Sequence, residues 1–273
     1  MKNIIVAEAQ GFCWGVRRAL DIVDQYDEVS ILGDLIHNKQ VVQELENKNK
    51  RVIQELTGKE KNPIVITAHG TDISNIKRLE SLEMETVDTT CPLVSVIYRA
   101  GKQLETEGYQ IIIIGDKRHV EVKGIASRMK NPIMINDEDD LENIDLPEKV
   151  GIICQSTFSQ NKFNKLVERI KKRVKSCKIK NTICAPTIKR QIAAETLAKS
   201  VDLMIVVGGY HSSNTKKLAE LANQYVRSYH IETAEHLDPL WFEGMSEIGI
   251  IAGASTADWI IEEVCVKIGE FDF

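Results

Sequence analysis

The stretch IIIIGDKRH, residues 111–119, runs four isoleucines into a glycine-marked loop that ends on His119. An aliphatic run of this length bounded by glycine predicts a strand buried on both faces, with a loop leaving its carboxyl end. The pattern occurs twice more: SILGDLIH (30–37) ends on His37 and MIVVGGYH (204–211) on His211. Upstream of each copy, a short strand ends in cysteine: AEAQGFC to Cys13, ETVDTTC to Cys91 and KNTIC to Cys184. From cysteine to histidine the steps are 24, 28 and 27 residues, so the repeat is close to regular.

The rest of each copy follows the same plan. Val16, Ala19, Leu20 and Val23 keep the i, i+3, i+4, i+7 spacing of an amphipathic helix, as do Leu93, Val96, Ile97 and Ala100; Ile188, Ile192 and Leu197 fit it less well. After the histidine loop comes another helix, clearest in Val122, Ile125, Ala126, Met129 and in Leu218, Leu221, Ala222, Tyr225. A third strand then ends in small polar residues: IVITAHG at His69, VGIICQST at Ser156 and Thr157, IGIIAGAS at Ser255. Strands alternating with helices predict parallel sheets covered on both faces. The fold class is therefore α/β, as three small parallel-sheet units of about 80–95 residues in pseudo-threefold arrangement. The domain boundaries read as 14–91, 92–184 and 185–273.

Composition excludes several classes. Of the 273 residues 43% are hydrophobic and 27% charged, as in ordinary globular proteins, and the net charge of −5 gives no basic field for nucleic acid or an anionic membrane. The basic run Lys171–Lys172–Arg173 reads as a solvated helix face. The first eleven residues hold too short an apolar run for a signal-peptide core, and no stretch could span a membrane, so a cytoplasmic location is expected. In a reducing compartment the six cysteines are thiols, redox groups or ligands rather than a disulfide framework.

Ligands of open α/β sheets bind outside the carboxyl ends of the strands, which is where the repeated cysteines, histidines and hydroxyls fall. Three cysteines spaced 78 and 93 residues apart match no local zinc motif. Their equivalence within a repeat favours a ligand set over buried structural thiols, whereas Cys154, Cys177 and Cys265 lack that equivalence and read as structural. A three-thiolate site suits zinc with a fourth ligand, or an iron–sulfur cluster in which one iron lacks a protein thiolate. His37, His69, His119, Ser212, Ser213, Asn214 and Ser255 supply hydrogen bonds suited to a phosphate or diphosphate. Glu121, two residues after His119, is either a proton donor or an ordinary carboxylate near a helix start. Besides a reductase, the residues allow an iron–sulfur dehydratase of a phosphorylated substrate or a zinc-stapled phospholigand-binding protein; a phosphoryl transferase lacks its P-loop.

The segments GFCWGVRRA, IHN, TAHGT, DTTCPLV, HVEVKG, CQSTFS, TICAPT, GGYHSSNT and AGASTADW stand in the order and spacing of the 4-hydroxy-3-methylbut-2-enyl diphosphate reductases. Over almost its whole length the chain resembles that family of oxidoreductases. The resemblance implies three α/β domains around one central [4Fe–4S] cluster per chain, with Cys13, Cys91 and Cys184 as its ligands. It implies that residues 1–13 join the third domain. Diphosphate would be held by His37, His69, His119, Ser212, Ser213, Asn214 and Ser255, with Ser156 and Thr157 near the substrate alcohol and Glu121 delivering the proton. It further implies an external one-electron donor of the ferredoxin or flavodoxin type. The products would be isopentenyl and dimethylallyl diphosphate, made in the last step of the methylerythritol phosphate route. The chain departs from the family pattern at Val120, where proline is usual, and at Ser156, where threonine is usual. Trp14 follows the first cysteine at a variable position, and His211 lies outside the pattern.

Overall fold

A computed structural model describes residues 3–271, so the outermost two positions at each end of the expected third domain lie outside it. The strands are β1 (Asn3–Val6), β2 (Val29–Leu32), β3 (Lys50–Ile53), β4 (Ile64–Ile66), β5 (Thr86–Asp88), β6 (Gln110–Ile114), β7 (Ile133–Ile135), β8 (Lys149–Cys154), β9 (Ser176–Ile179), β10 (Leu203–Val207), β11 (Ser228–Ile231) and β12 (Glu247–Ala252). The helices are α1 (Trp14–Val23), α2 (Lys39–Asn47), α3 (Ile73–Ser81), α4 (Pro92–Thr106), α5 (Val120–Ala126), α6 (Glu138–Glu142), α7 (Gln160–Lys171), α8 (Ala185–Ala198), α9 (Ser213–Ala222) and α10 (Asp258–Gly269).

The strands form three four-stranded sheets in the orders β3-β2-β4-β5, β7-β6-β8-β9 and β1-β12-β10-β11, with every pairing parallel. Read from the first strand of each repeat, all three sheets share one topology. The second strand lies to one side, and the third and fourth lie to the other. In the third sheet the fourth place is filled by β1, which pairs with β12 from Asn3 opposite Glu247 to Val6 opposite Ile250. The paired central strands are the aliphatic runs of the sequence; β6, β8, β10 and β12 are buried at nearly every position.

By the density of internal contacts the chain divides into two compact units. One comprises Met1–Arg17, Ile36–Gln43 and Ala185–Phe273 and carries the third sheet; the other comprises Arg18–Leu35 and Glu44–Cys184 and carries the first two.

Helix faces follow the periodicity with two departures. In α4 the buried stripe is Val94, Ile97, Gly101 and Leu104, while Leu93 and Val96 are exposed. The cause is close packing: Cβ atoms placed at Gly101 and Gly151 would lie 3.1 Å from the Ile153 Cδ1 and 3.0 Å from the Leu104 Cβ. The glycines thus select the helix face that meets the sheet. In α8 the buried face includes Thr187, Arg190 and Gln191, and Ile192 points to solvent. Its weak apolar signal therefore reflects a polar buried face. Lys171, Lys172 and Arg173 are exposed at the end of α7. Among the described residues, no helix is long and apolar enough to cross a membrane.

The first and second sheets meet along a polar seam. The Arg128 guanidinium donates to the carbonyls of Thr71 and Gly124, each at 2.7 Å, and stacks over the Tyr98 ring at 4.1 Å. Burial pushes the Tyr98 phenol up to about 12. Gly70 has φ +75°, and a methyl group there would run into the Tyr98 hydroxyl. Gly70→Ala is therefore expected to cost about 2–4 kcal/mol, from the left-handed backbone and the overpacked ring together. Thermal unfolding of the apoprotein should fall by roughly 5–10 °C; an unchanged transition would show that the seam yields freely.

Candidate functional site

In each sheet the connection reverses direction between the first and third strands, which makes a crevice outside their carboxyl ends. In the first sheet these ends lead to His37 after β2 and His69 after β4. In the second they lead to His119 after β6 and to Ser156 and Thr157 after β8, and in the third to Ser212, Ser213 and Asn214 after β10 and to Ser255 after β12. The segments that leave these strand ends thus carry all of the expected binding residues.

The fourth strand of each sheet leads to a cysteine. Cys13, Cys91 and Cys184 each immediately precede a helix, α1, α4 and α8 respectively. Their backbone amides are anchored alike: Cys13 N–H donates to Ala254 O (3.1 Å), Cys91 N–H to Ala68 O (2.9 Å) and Cys184 N–H to Ser156 O (2.9 Å). Each cysteine is therefore tied to the end of its sheet's third strand, directly ahead of a helix. All three are partly exposed, whereas Cys154 is fully buried. Burial pushes the thiols of Cys177 and Cys265 up, away from the thiolate a metal requires. Cys13 belongs to one compact unit and the other two cysteines to its counterpart. Among the described residues no three His, Cys, Asp or Glu side chains already form a metal-binding group. The donor set nevertheless suits an iron–sulfur cluster, with three equivalent, anchored and accessible thiols at helix starts.

The unit carrying the third sheet gathers His37, Ser212, Ser213, Asn214 and Ser255 with Cys13. The segment Ile36–Gln43 leaves the first sheet to pack here. The His37 carbonyl accepts from the Ser255 hydroxyl at 3.3 Å, and a methyl group on Gly209 would run into that carbonyl. Gly209 thus lets the GGYHSSN loop close on the IHN loop. Ser212 caps α9 by accepting from Thr215 N–H at 3.3 Å, and Lys217 donates to the Ser213 hydroxyl at 3.0 Å. The Asn214 side chain is buried, and its amide nitrogen has no hydrogen-bond partner among the described residues. A helix start with hydroxyls, an amide and a nearby lysine is suited to an anion. His211 is exposed.

The other unit gathers His69, His119, Glu121, Ser156 and Thr157 with Cys91 and Cys184. The rings of His69 and His119 meet edge to face, with centroids 5.5 Å apart. His119 caps α5, its Nδ1 accepting from Glu121 N–H at 3.2 Å, which places the proton of the neutral ring on Nε2 as a donor. Val120 opens this helix without disturbing the cap, so the missing proline leaves Glu121 well held. The Glu121 side chain is completely buried and accepts from Ser156 twice, from N–H at 2.6 Å and from the hydroxyl at 2.7 Å. Serine in place of threonine therefore keeps the bond that fixes the carboxylate.

Residues absent from the expected site also contribute. Gln155, fully buried, donates to the Thr157 hydroxyl at 3.2 Å and accepts from Asp116 N–H at 3.1 Å, which joins the loops after β6 and β8. A glutamine directly after an aliphatic strand was the only signal for it. Arg18 and Arg190, which hold the cysteine-bearing turns, gave no periodic signal at all.

A sequence profile described as the LytB protein matches residues 4–269. The chain is 38% identical to the 4-hydroxy-3-methylbut-2-enyl diphosphate reductase of Geobacter sulfurreducens, covering 99% of this chain and 98% of the relative. It is likewise 38% identical to the enzyme of that name from Aquifex aeolicus, covering 99% and 97%. Among solved structures it resembles an (E)-4-hydroxy-3-methyl-but-2-enyl diphosphate reductase described as the terminal enzyme of the non-mevalonate pathway. That match has a TM-score of 0.71 at 38% identity and covers 99% of this chain and all of the other. The Plasmodium falciparum E-1-hydroxy-2-methyl-but-2-enyl-4-diphosphate reductase matches with a TM-score of 0.93 at 26% identity, covering 97% and 87%. With the match running nearly end to end, the chain belongs to the LytB family.

Proposed function

We propose that the chain is an oxidoreductase that removes the hydroxyl of (E)-4-hydroxy-3-methylbut-2-enyl diphosphate, giving isopentenyl and dimethylallyl diphosphate. The reaction takes up two electrons and two protons, breaks the carbon–oxygen bond and releases water. The observation that carries this reading is the buried Glu121–Ser156 pair at a switch point, next to the paired rings of His119 and His69, with the Ser156 carbonyl accepting from the Cys184 amide. Full-length kinship with reductases of that name supports it.

Cys13, Cys91 and Cys184 would hold one [4Fe–4S] cluster. When bound, it would supply the electrons singly and a Lewis acid that activates the alcohol toward departure. His37, His69, His119, Ser212, Ser213, Asn214 and Ser255 would supply the hydrogen bonds that hold the diphosphate. Ser156 and Thr157 direct their hydroxyls to the alcohol, and Glu121 delivers the proton. Electrons come from an external donor of the ferredoxin or flavodoxin type, in the reducing cytoplasm. Each sheet with its helices forms one domain, spanning 14–91, 92–184 and 185–273 with residues 1–13.

The test is anaerobic. Protein loaded with iron and sulfide should re-oxidise a reduced viologen dye when given hydroxymethylbutenyl diphosphate, and both five-carbon diphosphates should form. A brown, sulfide-containing protein that consumes the substrate without reductant would be a dehydratase. A colourless protein that takes zinc in place of iron would be a binding protein.

A further inference from the structure

The turn that delivers Cys13 is held by arginines. Arg190, only 5% exposed, lies in the second turn of α8. Its Nη2 donates to the carbonyls of Gly11 at 2.6 Å and Gln10 at 3.4 Å, and its Nη1 to Pro186 O at 3.2 Å. Arg17 donates through Nε to Phe12 O at 3.3 Å and pairs with Asp258 at 3.2 Å. Three successive carbonyls ahead of Cys13 thus accept from guanidinium groups. Gly11, at φ +69°, is itself closed in by Asp258, against which a methyl group would collide. With the three peptide planes set and the Cys13 amide tied to Ala254, little freedom remains in the direction of the Cα–Cβ bond of Cys13.

A buried guanidinium is costly unless its donors are used, and a planar fork suits adjacent carbonyls better than an ammonium does. The same device recurs at another turn. Arg18 Nη1 donates to Thr89 O at 3.3 Å and to Thr90 O at 3.4 Å, directly ahead of Cys91. Arg18 follows Cys13 by five residues and Arg190 follows Cys184 by six, so each lies near the start of a helix that a repeat cysteine opens. Ahead of Cys184 a neutral lock does the work: the Thr182 hydroxyl bonds both Cys154 N–H and O, at 2.7 and 2.5 Å. Recurrence at the carbonyls next to repeat cysteines sets the arrangement apart from general packing.

We propose that Arg190 is a positioning residue for Cys13, presetting its thiolate for iron by fixing the Gln10 and Gly11 carbonyls of the turn ahead of it. The inference rests on Cys13 being a cluster ligand. Its positive charge next to the ligand turn would also favour the reduced, more negative cluster.

The test compares wild type, Arg190→Met and Arg190→Lys, each reconstituted anaerobically with iron and sulfide. Three quantities are read: apoprotein melting, the rate of iron release to a chelator, and the electron paramagnetic resonance spectrum after dithionite reduction. Arg190→Met is expected to release iron at least about tenfold faster, a modest ligand-orientation effect, and to show an altered spectrum. Arg190→Lys, which keeps the charge but loses the fork, should fall between. Wild-type release and spectrum in a folded Met variant would overturn the proposal. If the Met variant does not fold, the lysine variant decides by the same two readings. A wild-type protein that takes up no iron would instead overturn the cluster assignment beneath it.

Discussion

Glu121→Gln should leave a folded, cluster-loaded protein that binds substrate and turns it over roughly 10²–10⁴-fold more slowly. The substitution is close to isosteric, and the hydrogen bonds of Glu121 show why the fold should accept it. The carboxylate takes one bond from Ser156 N–H and one from the Ser156 hydroxyl. A glutamine can present its carbonyl to the backbone N–H, which cannot turn, and its amide to the hydroxyl, which can rotate to accept. Both bonds to Ser156 can be kept. What is lost is the ability of this buried side chain to carry a proton. Turnover with viologen as donor, iron content and melting temperature, measured on one preparation, separate these effects. Near-normal turnover with a full cluster would remove Glu121 from the reaction. A protein without cluster would make it a structural residue.

The contrast between Glu121 and the arginines shows what sequence periodicity can and cannot carry. Repeated aliphatic strands gave the three parallel sheets, because strands buried on both faces must be apolar throughout and leave a clear run. The switch-point residues could be placed because they directly follow those strands. The stripe of α4 was misplaced by one position, since apolar residues line both sides of that helix and only Gly101 and Gly151 decide which side meets the sheet. The destination of residues 36–43 was equally hidden. Their attachment beside Gly209 and Ser255 depends on contacts more than 170 residues away along the chain, and no local pattern encodes it. Arg190 was invisible for a related reason. Its partners are backbone carbonyls, which every residue possesses, so the sequence at Gln10 and Gly11 bears no mark of the arginine that holds it.

Cys91→Ser should abolish the cluster while leaving the fold intact, and the local geometry makes the two outcomes separable. Cys91 is the N-cap residue of α4, with φ −59° and ψ 129°, followed by Pro92 in the first helical position. Its side chain does not cap the helix. Serine is among the best N-cap residues and would add a bond that cysteine does not supply, worth about 0.5–2 kcal/mol. The anchor from residue 91 N–H to Ala68 O, and the Arg18 contacts to the two preceding carbonyls, involve backbone alone and persist. The apoprotein should therefore melt at or slightly above the wild-type temperature. Iron and acid-labile sulfide should nonetheless fall far below wild type, because a hydroxyl near neutral pH offers no thiolate to iron. Viologen re-oxidation should vanish with them. Cys177→Ser, at a thiol that burial pushes away from ionisation, serves as the control and should load normally. Full iron and sulfide in the Cys91 variant would break the threefold equivalence of the ligands, and the cluster would then have to be held elsewhere. Loss at Cys91 with retention at Cys177 would tie the metal to the fourth-strand cysteines that the repeated topology singles out.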